Sequence, residues 1–178
     1  MRCARPCLRL RPVRPGDAAY IHGLRVNPAY NHHLSPVTGT VADQRAWIER
    51  YQAREAAGRE IYYLIERRDT GQPCGTVRLY DIEADRFTWG SWILDQTKPP
   101  KAALESAVLI YDVGFAGLGR DLAVFDVRRD NDRTLAFHHR FGAQETGSDD
   151  VNIYFTYPRA RFQADRDGYM TILTEASA

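Results

Sequence analysis

The eight residues from Phe87 to Leu94, FTWGSWIL, constrain the fold more than any other stretch of the chain. Residues two apart in a strand share a face, so this run places Trp89 and Ile93 on one face and Trp92 and Leu94 on the other. Bulky apolar groups on both faces are typical of a central strand that is covered on both sides. The chain is therefore predicted to build a layered α/β or α+β domain around this strand.

The rest of the pattern predicts an antiparallel meander followed by alternating strands and helices. The predicted strands are 8–13, 60–66, 75–82, 87–94, 122–127 and 151–157. The predicted helices are 18–26, 40–57, 102–115 and 132–141, the last of which ends at Gly142. Residues 1–178 are predicted to form a single domain, with a core of about 8–157 and a C-terminal tail of 158–178.

Composition excludes several classes of protein. The formal net charge of +1 provides no basic field for a nucleic acid, and no apolar run reaches the roughly 20 residues of a membrane span. The three cysteines form no CxxC pair, which makes a reducing, cytoplasmic location the expectation. No metal site is predicted, because the adjacent His32 and His33 have no third ligand at a zinc-like spacing.

The stretch TKPPKAALES, residues 97–106, joins the central strand to a helix and holds the only two lysines of the chain, Lys98 and Lys101. A helix N-terminus offers unpaired N–H groups and a partial positive charge, which together favour an anion. The two prolines donate no N–H, so the donors that remain belong to Lys101, Ala102, Ala103 and Leu104. We predict a polyanion site such as one for pyrophosphate; the alternative is a proline-stopped loop with two solvated lysines.

The element order, together with one later segment, resembles the GCN5-related N-acetyltransferase (GNAT) family over about residues 8–157. Residues 127–143 are similar to the family's V-x-x-x-N-x-x-A…Y-x-x-x-G-F segment, with Asn131 and Gly142 in register. The family binds pyrophosphate in a Q/R-x-x-G-x-G/A loop. In this resemblance Lys98 occupies the Q/R position, Lys101 the first glycine position and Ala103 the final G/A position. Residues 24–27 and the loop after them resemble the branch that includes ribosomal-protein and nucleotide-sugar acetyltransferases.

This resemblance implies a GNAT-like acyl-CoA N-acyltransferase fold of the α/β (α+β) class. Its central sheet is mixed and mostly antiparallel, its fourth and fifth strands splay to form a cleft, and helices cover both faces. Acetyl-CoA is implied as the cosubstrate, with pantetheine along the backbone of Ile93 and Leu94 and the pyrophosphate at Lys98–Leu104. Asn131 is a further candidate cofactor contact, although a helix N-cap alone would explain it.

The resemblance also implies the catalytic candidates. His138 occupies the position where the family usually carries a tyrosine acid, and a histidine with a pKa near 6.5 can protonate a thiolate. The alternative is that His138 is a polar residue at the boundary between a helix and the cleft. No carboxylate stands at Ser91, in the strand where the family commonly has one, so the base is open among Asp81, Glu83 and Glu105. Asp81 is the favoured candidate.

Polar and aromatic side chains near the predicted cleft are candidates for binding the acceptor. They are Asn31, His32, Tyr80, Trp89 and Ser91. The predicted function is acetyl-CoA-dependent transfer of an acyl group to a primary amine by direct attack on the thioester. The acceptor would be a small molecule or a peptide (an amino sugar, a small amine or a protein N-terminus), and a homodimer is compatible with this function. The alternative is a non-catalytic GNAT-fold module that binds acyl-CoA or another protein.

Overall fold

The structure is a computed structural model that describes residues 6–175. Within this range seven strands form one sheet in the order β1-β2-β3-β4-β5-β7-β6. They are β1 (Leu8–Pro12), β2 (Ile61–Arg67), β3 (Pro73–Tyr80), β4 (Arg86–Leu94), β5 (Leu122–Arg128), β6 (Gln144–Ser148) and β7 (Asn152–Pro158). Every neighbouring pair is antiparallel except β4 and β5, which are parallel. The predicted mixed, mostly antiparallel sheet is confirmed.

Local capping signals account for the start of one helix and the end of another. They are α1 (Ala18–Val26), α2 (Val41–Ala56), α3 (Ala102–Tyr111), α4 (Asp132–Phe141) and α5 (Arg159–Thr174). Before α2, the Asp43 N–H donates to Thr40 Oγ1 and the Thr40 N–H donates to the Asp43 carboxylate, which forms a capping box. The helix α4 ends at Gly142, whose φ of 92° lies in the left-handed region that glycine favours.

Helices cover both faces of the sheet, as the resemblance implied. On one face, Ile21 of α1 and Ile48 of α2 pack with Tyr62 and Leu64 of β2. On the other face, residues of α3, α4 and α5 pack in a larger core that includes Ile65 of β2. None of the helices in the described range has the length and apolar character that a membrane span requires.

The C-terminal segment differs from the predicted tail, because residues 159–174 form α5. Phe162, Tyr169 and Leu173 of this helix are buried in the larger core. Only three apolar side chains in sixteen residues are buried, and the many charged residues between them obscured the helical period.

The central position of β4 is confirmed, but its side chains do not alternate as expected. Gly90 pairs with Arg78 and Ile93 pairs with Thr76, so two residues of β4 face one residue of β3 in a bulge. Ser91 in this bulge has a φ of 48°, and the Thr76 hydroxyl donates to its carbonyl oxygen at 3.0 Å. The bulge places the rings of Trp89 and Trp92 side by side, 5.3 Å apart, whereas strict alternation predicted opposite faces.

The strands β4 and β5 part after three residue pairs. The parallel register runs from Arg86 with Leu122 to Thr88 with Val124 and ends there. Beyond that point β4 stays paired with β3 as far as Leu94, and β5 stays paired with β7 as far as Arg128. The predicted V-shaped cleft between these two strands is therefore present.

Candidate active site

The cleft between β4 and β5 has a volume of about 630 Å³. Its walls come from β4, from β5 and the first turns of α4, and from the loop between α1 and α2. A cavity of this size is ordinary for a binding site that takes a small molecule or part of a cofactor. Ligand chemistry in this protein is therefore expected here.

One wall of the cleft consists of the backbone of β4. Gly90, Ser91, Ile93 and Leu94 line it, and the edge of the strand that faces β5 has left the ladder. Gly75 of β3 allows the two strands to approach closely, since a Cβ there would lie 2.2 Å from the carbonyl oxygen of Ile93. An extended ligand can therefore pair with this edge as an added strand. The predicted role of Ile93 and Leu94 agrees with their position.

The floor of the cleft is aromatic, and His138 of α4 lies within it. The His138 ring centroid is 4.4 Å from that of Phe125 and 5.5 Å from that of Trp89. The side chain is 3% exposed, and burial, assisted by the nearby His139, lowers the pKa of His138 to about 3. Its Nδ1 has no hydrogen-bond partner among the described residues. His138 is thus neutral at neutral pH.

This neutrality corrects the expected chemistry of His138. The expected acid role needs an imidazolium ion, which an ordinary pKa near 6.5 would provide. With a pKa of about 3, almost none of the His138 side chain is protonated at pH 7. The group that does remain is one N–H of the neutral ring, which can donate a hydrogen bond. His138 lines the cleft, so this donor is available to a ligand.

Asp126 is the carboxylate that the sequence analysis missed. It lies on β5 between buried Phe125 and Val127, and it is the only acidic residue among the described residues that line the cleft. The carboxylate is open to water in the cleft, but the surrounding walls remove part of its hydration. This desolvation raises the pKa of Asp126, Asp149 adds to the increase, and Arg128 opposes it. The signal in the sequence was a lone acid in an otherwise apolar strand.

Asp81, the favoured candidate for the base, lies elsewhere. It is exposed in the turn after β3, with a φ of 45°, and it is not part of the cleft lining. A carboxylate at the end of a strand and one in its middle look equally plausible in sequence. The parting of β4 from β5 is what opens the middle of β5 to a ligand.

The two lysines have different environments. Lys98 lines the cleft, and its Nζ donates to the carbonyl oxygen of Asp95 at 3.2 Å. Lys101 has a φ of 62°, and its Nζ donates to the carbonyl oxygens of Ile172 and Glu175 at the end of α5. The ammonium group of Lys101 therefore stabilises the C-terminus of a helix, not the predicted anion site.

The predicted backbone donors of α3 are also partly occupied. The Ala102 N–H donates to the Pro99 carbonyl oxygen at 3.2 Å, and the Ala102 side chain is buried. Ala103 and Leu104 are half-buried in the first turn of α3, outside the cleft lining. Asn131 lines the cleft and also caps α4 by accepting from the Thr134 N–H at 3.2 Å. Lys98 and Asn131 are thus the predicted polar cofactor contacts that the structure brings to the cleft.

Three of the predicted acceptor contacts, Tyr80, Trp89 and Ser91, line the cleft. Asn31 and His32 lie outside the lining, and their neighbours Tyr30 and His33 line it instead. Periodicity cannot decide which residues of an irregular loop face inward. The loop therefore lines the cleft through Tyr30 and His33, not through the two predicted residues.

Polar atoms without partners mark the half of the cleft that faces the α1–α2 loop. Arg25 Nε and Asn152 Oδ1 are buried and have no hydrogen-bond partner among the described residues. Buried polar groups in folded proteins are normally paired, so orphans in a cleft indicate where ligand groups bind. Arg128 lies beside this region on β5, and its partner in the register with β7 is Asn152.

The comparisons with known proteins agree with this geometry. A family model described as an acetyltransferase (GNAT) domain matches residues 8–144. The solved structure of apo FdhC, described as a nucleotide-linked sugar GNAT, shares 40% identity with a TM-score of 0.87, covering 96% of this chain and 97% of that one. Spermidine N-acetyltransferase from Vibrio cholerae, in complex with CoA and spermine, shares 17% identity with a TM-score of 0.74, covering 88% and 98%. No curated protein matches the chain.

A sheet that splays at β4 and β5 over an aromatic floor, and a family match over most of the chain, define an acyl-CoA-dependent acyltransferase. The chain belongs to the GNAT acetyltransferase family. It is an N-acetyltransferase, and acetyl-CoA is its cosubstrate. The residues present fit this cosubstrate, because the open edge of β4 can pair with an extended pantetheine chain and Lys98 supplies a cation at the α3 end of the cleft.

Proposed function

We propose that the protein transfers an acetyl group from acetyl-CoA to the amine of a nucleotide-linked amino sugar. The observation that carries the proposal is the charge of the cleft. Four permanently cationic side chains line it, against the single carboxylate of Asp126. These cations are Arg25, Lys98, Arg128 and Arg133. A nucleotide-linked amino sugar combines several phosphate charges with one amine, and it matches this distribution.

The same charge distribution argues against a polyamine acceptor. The relatives that act on spermidine share the fold at 17% identity or less, which carries no information on the acceptor of this chain. A polyamine is a polycation, and arginines on the acceptor side of the cleft would repel it. One carboxylate cannot neutralise three or four ammonium groups. The relative at 40% identity, described as a nucleotide-linked sugar GNAT, supports the anionic acceptor.

Acetyl-CoA is itself an anion, so the cations need to be divided between the two substrates. Lys98 precedes α3, where the family binds the pyrophosphate, and we assign it to acetyl-CoA. Arg25 reaches the opposite side, where its guanidinium donates to the Ser35 carbonyl oxygen at 3.3 Å and its Nε is unpaired. Arg128 lies close enough to Asp126 to oppose the rise in its pKa. Arg25 and Arg128 are therefore assigned to the phosphates of the acceptor.

Asp126 is assigned as the general base. The attacking amine has to be neutral, and a carboxylate in the cleft can accept its proton. The raised pKa of Asp126 makes the carboxylate a stronger base than an exposed aspartate, so the shift has the direction that this role needs. Asp126 also supplies a carboxylate on a central strand, which is absent at Ser91.

His138 and the β4 bulge are assigned to the acyl-donor side. Acetyl-CoA supplies an activated thioester carbonyl when it is bound. Backbone N–H groups at the bulge of Ser91 are held in place by the hydrogen bond from Thr76 and can polarise a carbonyl oxygen. The neutral His138 ring can donate its N–H to a sulfur atom that gains negative charge. A cytoplasmic location and a homodimer stay predictions alongside this assignment.

The acceptor assignment is tested with a panel of amines and a CoA-release assay. We expect turnover with nucleoside diphosphate-linked amino sugars and far less with spermidine or with a peptide amine. Arg25→Gln and Arg128→Gln should each raise KM for the nucleotide-linked sugar about 10- to 100-fold, the scale of a lost charge-assisted hydrogen bond.

Arg129→Gln is the matched control. Arg129 is the neighbour of Arg128 in sequence, but it is exposed and its guanidinium donates to the Asp149 carbonyl oxygen outside the cleft. Its KM should stay within about twofold of wild type, because surface substitutions change little. The acceptor assignment is overturned if kcat/KM is higher for spermidine than for every nucleotide-linked sugar. It is also overturned if Arg25→Gln, Arg128→Gln and Arg129→Gln all have the same KM.

A further inference from the structure

Two adjacent histidines meet an aspartate from a distant part of the chain at the rim of the cleft. His33 Nδ1 lies 3.2 Å from Asp130 Oδ1, and His32 Nε2 lies 4.0 Å from Asp130 Oδ2. The two imidazole rings are 4.6 Å apart and nearly perpendicular, at 79°. One ligand atom from each of the three residues lies within 4.8 Å of the other two. We propose that this rim cluster, His32, His33 and Asp130, binds one divalent transition-metal ion such as Zn²⁺.

The donor set selects the class of metal. Two imidazole nitrogens and one carboxylate suit Zn²⁺ and its transition-metal neighbours, whereas Mg²⁺ and Ca²⁺ prefer oxygen ligands alone. Three protein ligands leave a fourth position of a tetrahedral site for water or another ligand. The cluster therefore has the composition of an open zinc site.

The spacing needs only a small contraction. Ligand atoms about 2.0–2.1 Å from a tetrahedral ion are roughly 3.3–3.4 Å apart, so the widest pair of the cluster has to close by up to about 1.4 Å. The side chains of His32 and Asp130 are 77% and 69% exposed, which leaves their rotamers free to adjust. His33 and Asp130 are already within hydrogen-bond distance of each other.

The position of the cluster gives the metal a structural consequence. His32 and His33 belong to the α1–α2 loop, and Asp130 belongs to the turn between β5 and α4, 97 residues further along the chain from His33. The same loop also contacts the other side of the cleft, where the Gln96 N–H donates to the Tyr30 hydroxyl at 3.1 Å. An ion at the rim cluster would therefore fasten a loop that already spans from the β4–α3 connection to the β5–α4 turn.

Fastening this loop should affect how ligands enter and leave. Tyr30 and His33 line the cleft, so their mobility controls the width of its opening. With the ion bound, the loop loses freedom and its amide hydrogens should exchange more slowly. This effect does not depend on which amine the enzyme acetylates.

The test uses the full-length protein without an affinity tag, freed of metal. Calorimetric titration with Zn²⁺ should show one site per chain, and Co²⁺ should give the visible absorption of a four-coordinate ion. His32→Ala, His33→Ala and Asp130→Ala should each weaken binding at least tenfold, since even supporting residues of metal sites cost about 10- to 100-fold. Hydrogen exchange of residues 27–40 should slow with Zn²⁺ in the wild type, and far less in the three variants.

His139→Ala is the matched control, because it removes another exposed histidine beside a carboxylate. His139 Nε2 lies 2.9 Å from Glu145 Oε1, without a third ligand among the described residues. Its Zn²⁺ affinity should equal that of the wild type. The proposal is overturned if Zn²⁺ binds no more tightly than Mg²⁺. It is also overturned if the three rim variants retain wild-type affinity, or if His139→Ala weakens binding as much as they do.

Discussion

The two walls of the cleft recognise ligands by different means. The β4 wall presents its backbone: an edge released by β5, a bulge at Ser91 and a close approach of Gly75 to Ile93. The wall of β5 and α4 presents side chains, among them Asp126 with a raised pKa and its neighbour Arg128. One wall is defined by how the strands part, and the other by which residues occupy particular positions.

This difference supports the proposed assignment of one wall to each substrate. A backbone edge recognises an extended chain regardless of side-chain identity, which suits a cosubstrate shared by a whole family. Side chains provide charge and proton transfer, which suits an acceptor that differs from one enzyme to the next. Substitutions on the β5 wall should therefore change the reaction most, and substitutions near the donor end should change cosubstrate affinity alone.

The largest effect is expected for Asp126→Asn. The amide has nearly the same shape but cannot accept the proton of the amine, so kcat should fall about 10²- to 10⁴-fold. Acetyl-CoA affinity, measured by calorimetry, should stay close to that of the wild type. Asp81→Asn is the control, because this exposed carboxylate lies outside the cleft lining. Equal losses in both variants would remove Asp126 from the role of base.

The pH profile sharpens the same assignment. A base works only when deprotonated, so kcat/KM should decrease as the pH falls through the pKa of Asp126. Because desolvation raises that pKa, the decrease should begin at a higher pH than for an ordinary aspartate. The residual activity of Asp126→Asn should lack this acidic limb. If the pH profile of Asp126→Asn keeps the acidic limb of the wild type, the assignment of Asp126 as the base is wrong.

An effect of intermediate size is expected from His138 on how the free energy of unfolding depends on pH. Its folded-state pKa of about 3 lies below the ordinary value of 6.5, so the unfolded chain binds a proton that the native state excludes. This penalty is absent above about pH 6.5 and grows as the pH falls toward 3. At pH 5 it should reach about 2 kcal/mol, from 1.36 kcal/mol per pKa unit.

Urea unfolding of the wild type and of His138→Phe measures this difference. The phenylalanine keeps an aromatic ring among Trp89 and Phe125 but does not titrate. The stability of the wild type relative to the variant should therefore decline between pH 6.5 and pH 5. Parallel pH profiles for wild type and His138→Phe would show that His138 is not kept neutral.

The smallest effect separates the two lysines. Lys98→Ala should weaken acetyl-CoA binding by about three- to tenfold, as expected for one partly exposed cation, and the loss should shrink at high salt. Lys101→Ala should leave that affinity unchanged and lower the melting temperature instead, since its ammonium caps α5. Calorimetry and thermal unfolding distinguish these outcomes. If both variants lose the same affinity for acetyl-CoA, Lys101 also contacts this cosubstrate.

Sequence patterns correctly predicted those features that depend on residues close together in the chain. Thr40 with Asp43 begins a helix and Gly142 ends one, because capping depends on residues a few positions apart. The splayed strands followed from the family resemblance and from the apolar character of residues 87–94. The expected backbone roles of Ile93 and Leu94 needed no particular side chain.

The features that were missed depend on contacts between distant segments. The ammonium of Lys101 binds the end of α5, more than 70 residues away, and no local pattern predicts this contact. His33 also meets Asp130 across 97 residues, a contact that no local pattern predicts. The neutral state of His138 is set by aromatic rings from three strands and its own helix, which only the packed core brings together.

The aromatic floor also joins the two strands of the cleft where their backbones part. The ring centroids of Trp89 on β4 and Phe125 on β5 are 5.6 Å apart, so the two strands touch through their side chains just past the point where they part. Tyr111 and His138 pack against the same tryptophan from α3 and α4. Because close-packed side chains yield little, a group that went deeper than these rings would have to displace several of them together. The packed rings thus hold the two parted strands together at the inner end of the cleft, where backbone hydrogen bonds no longer do so.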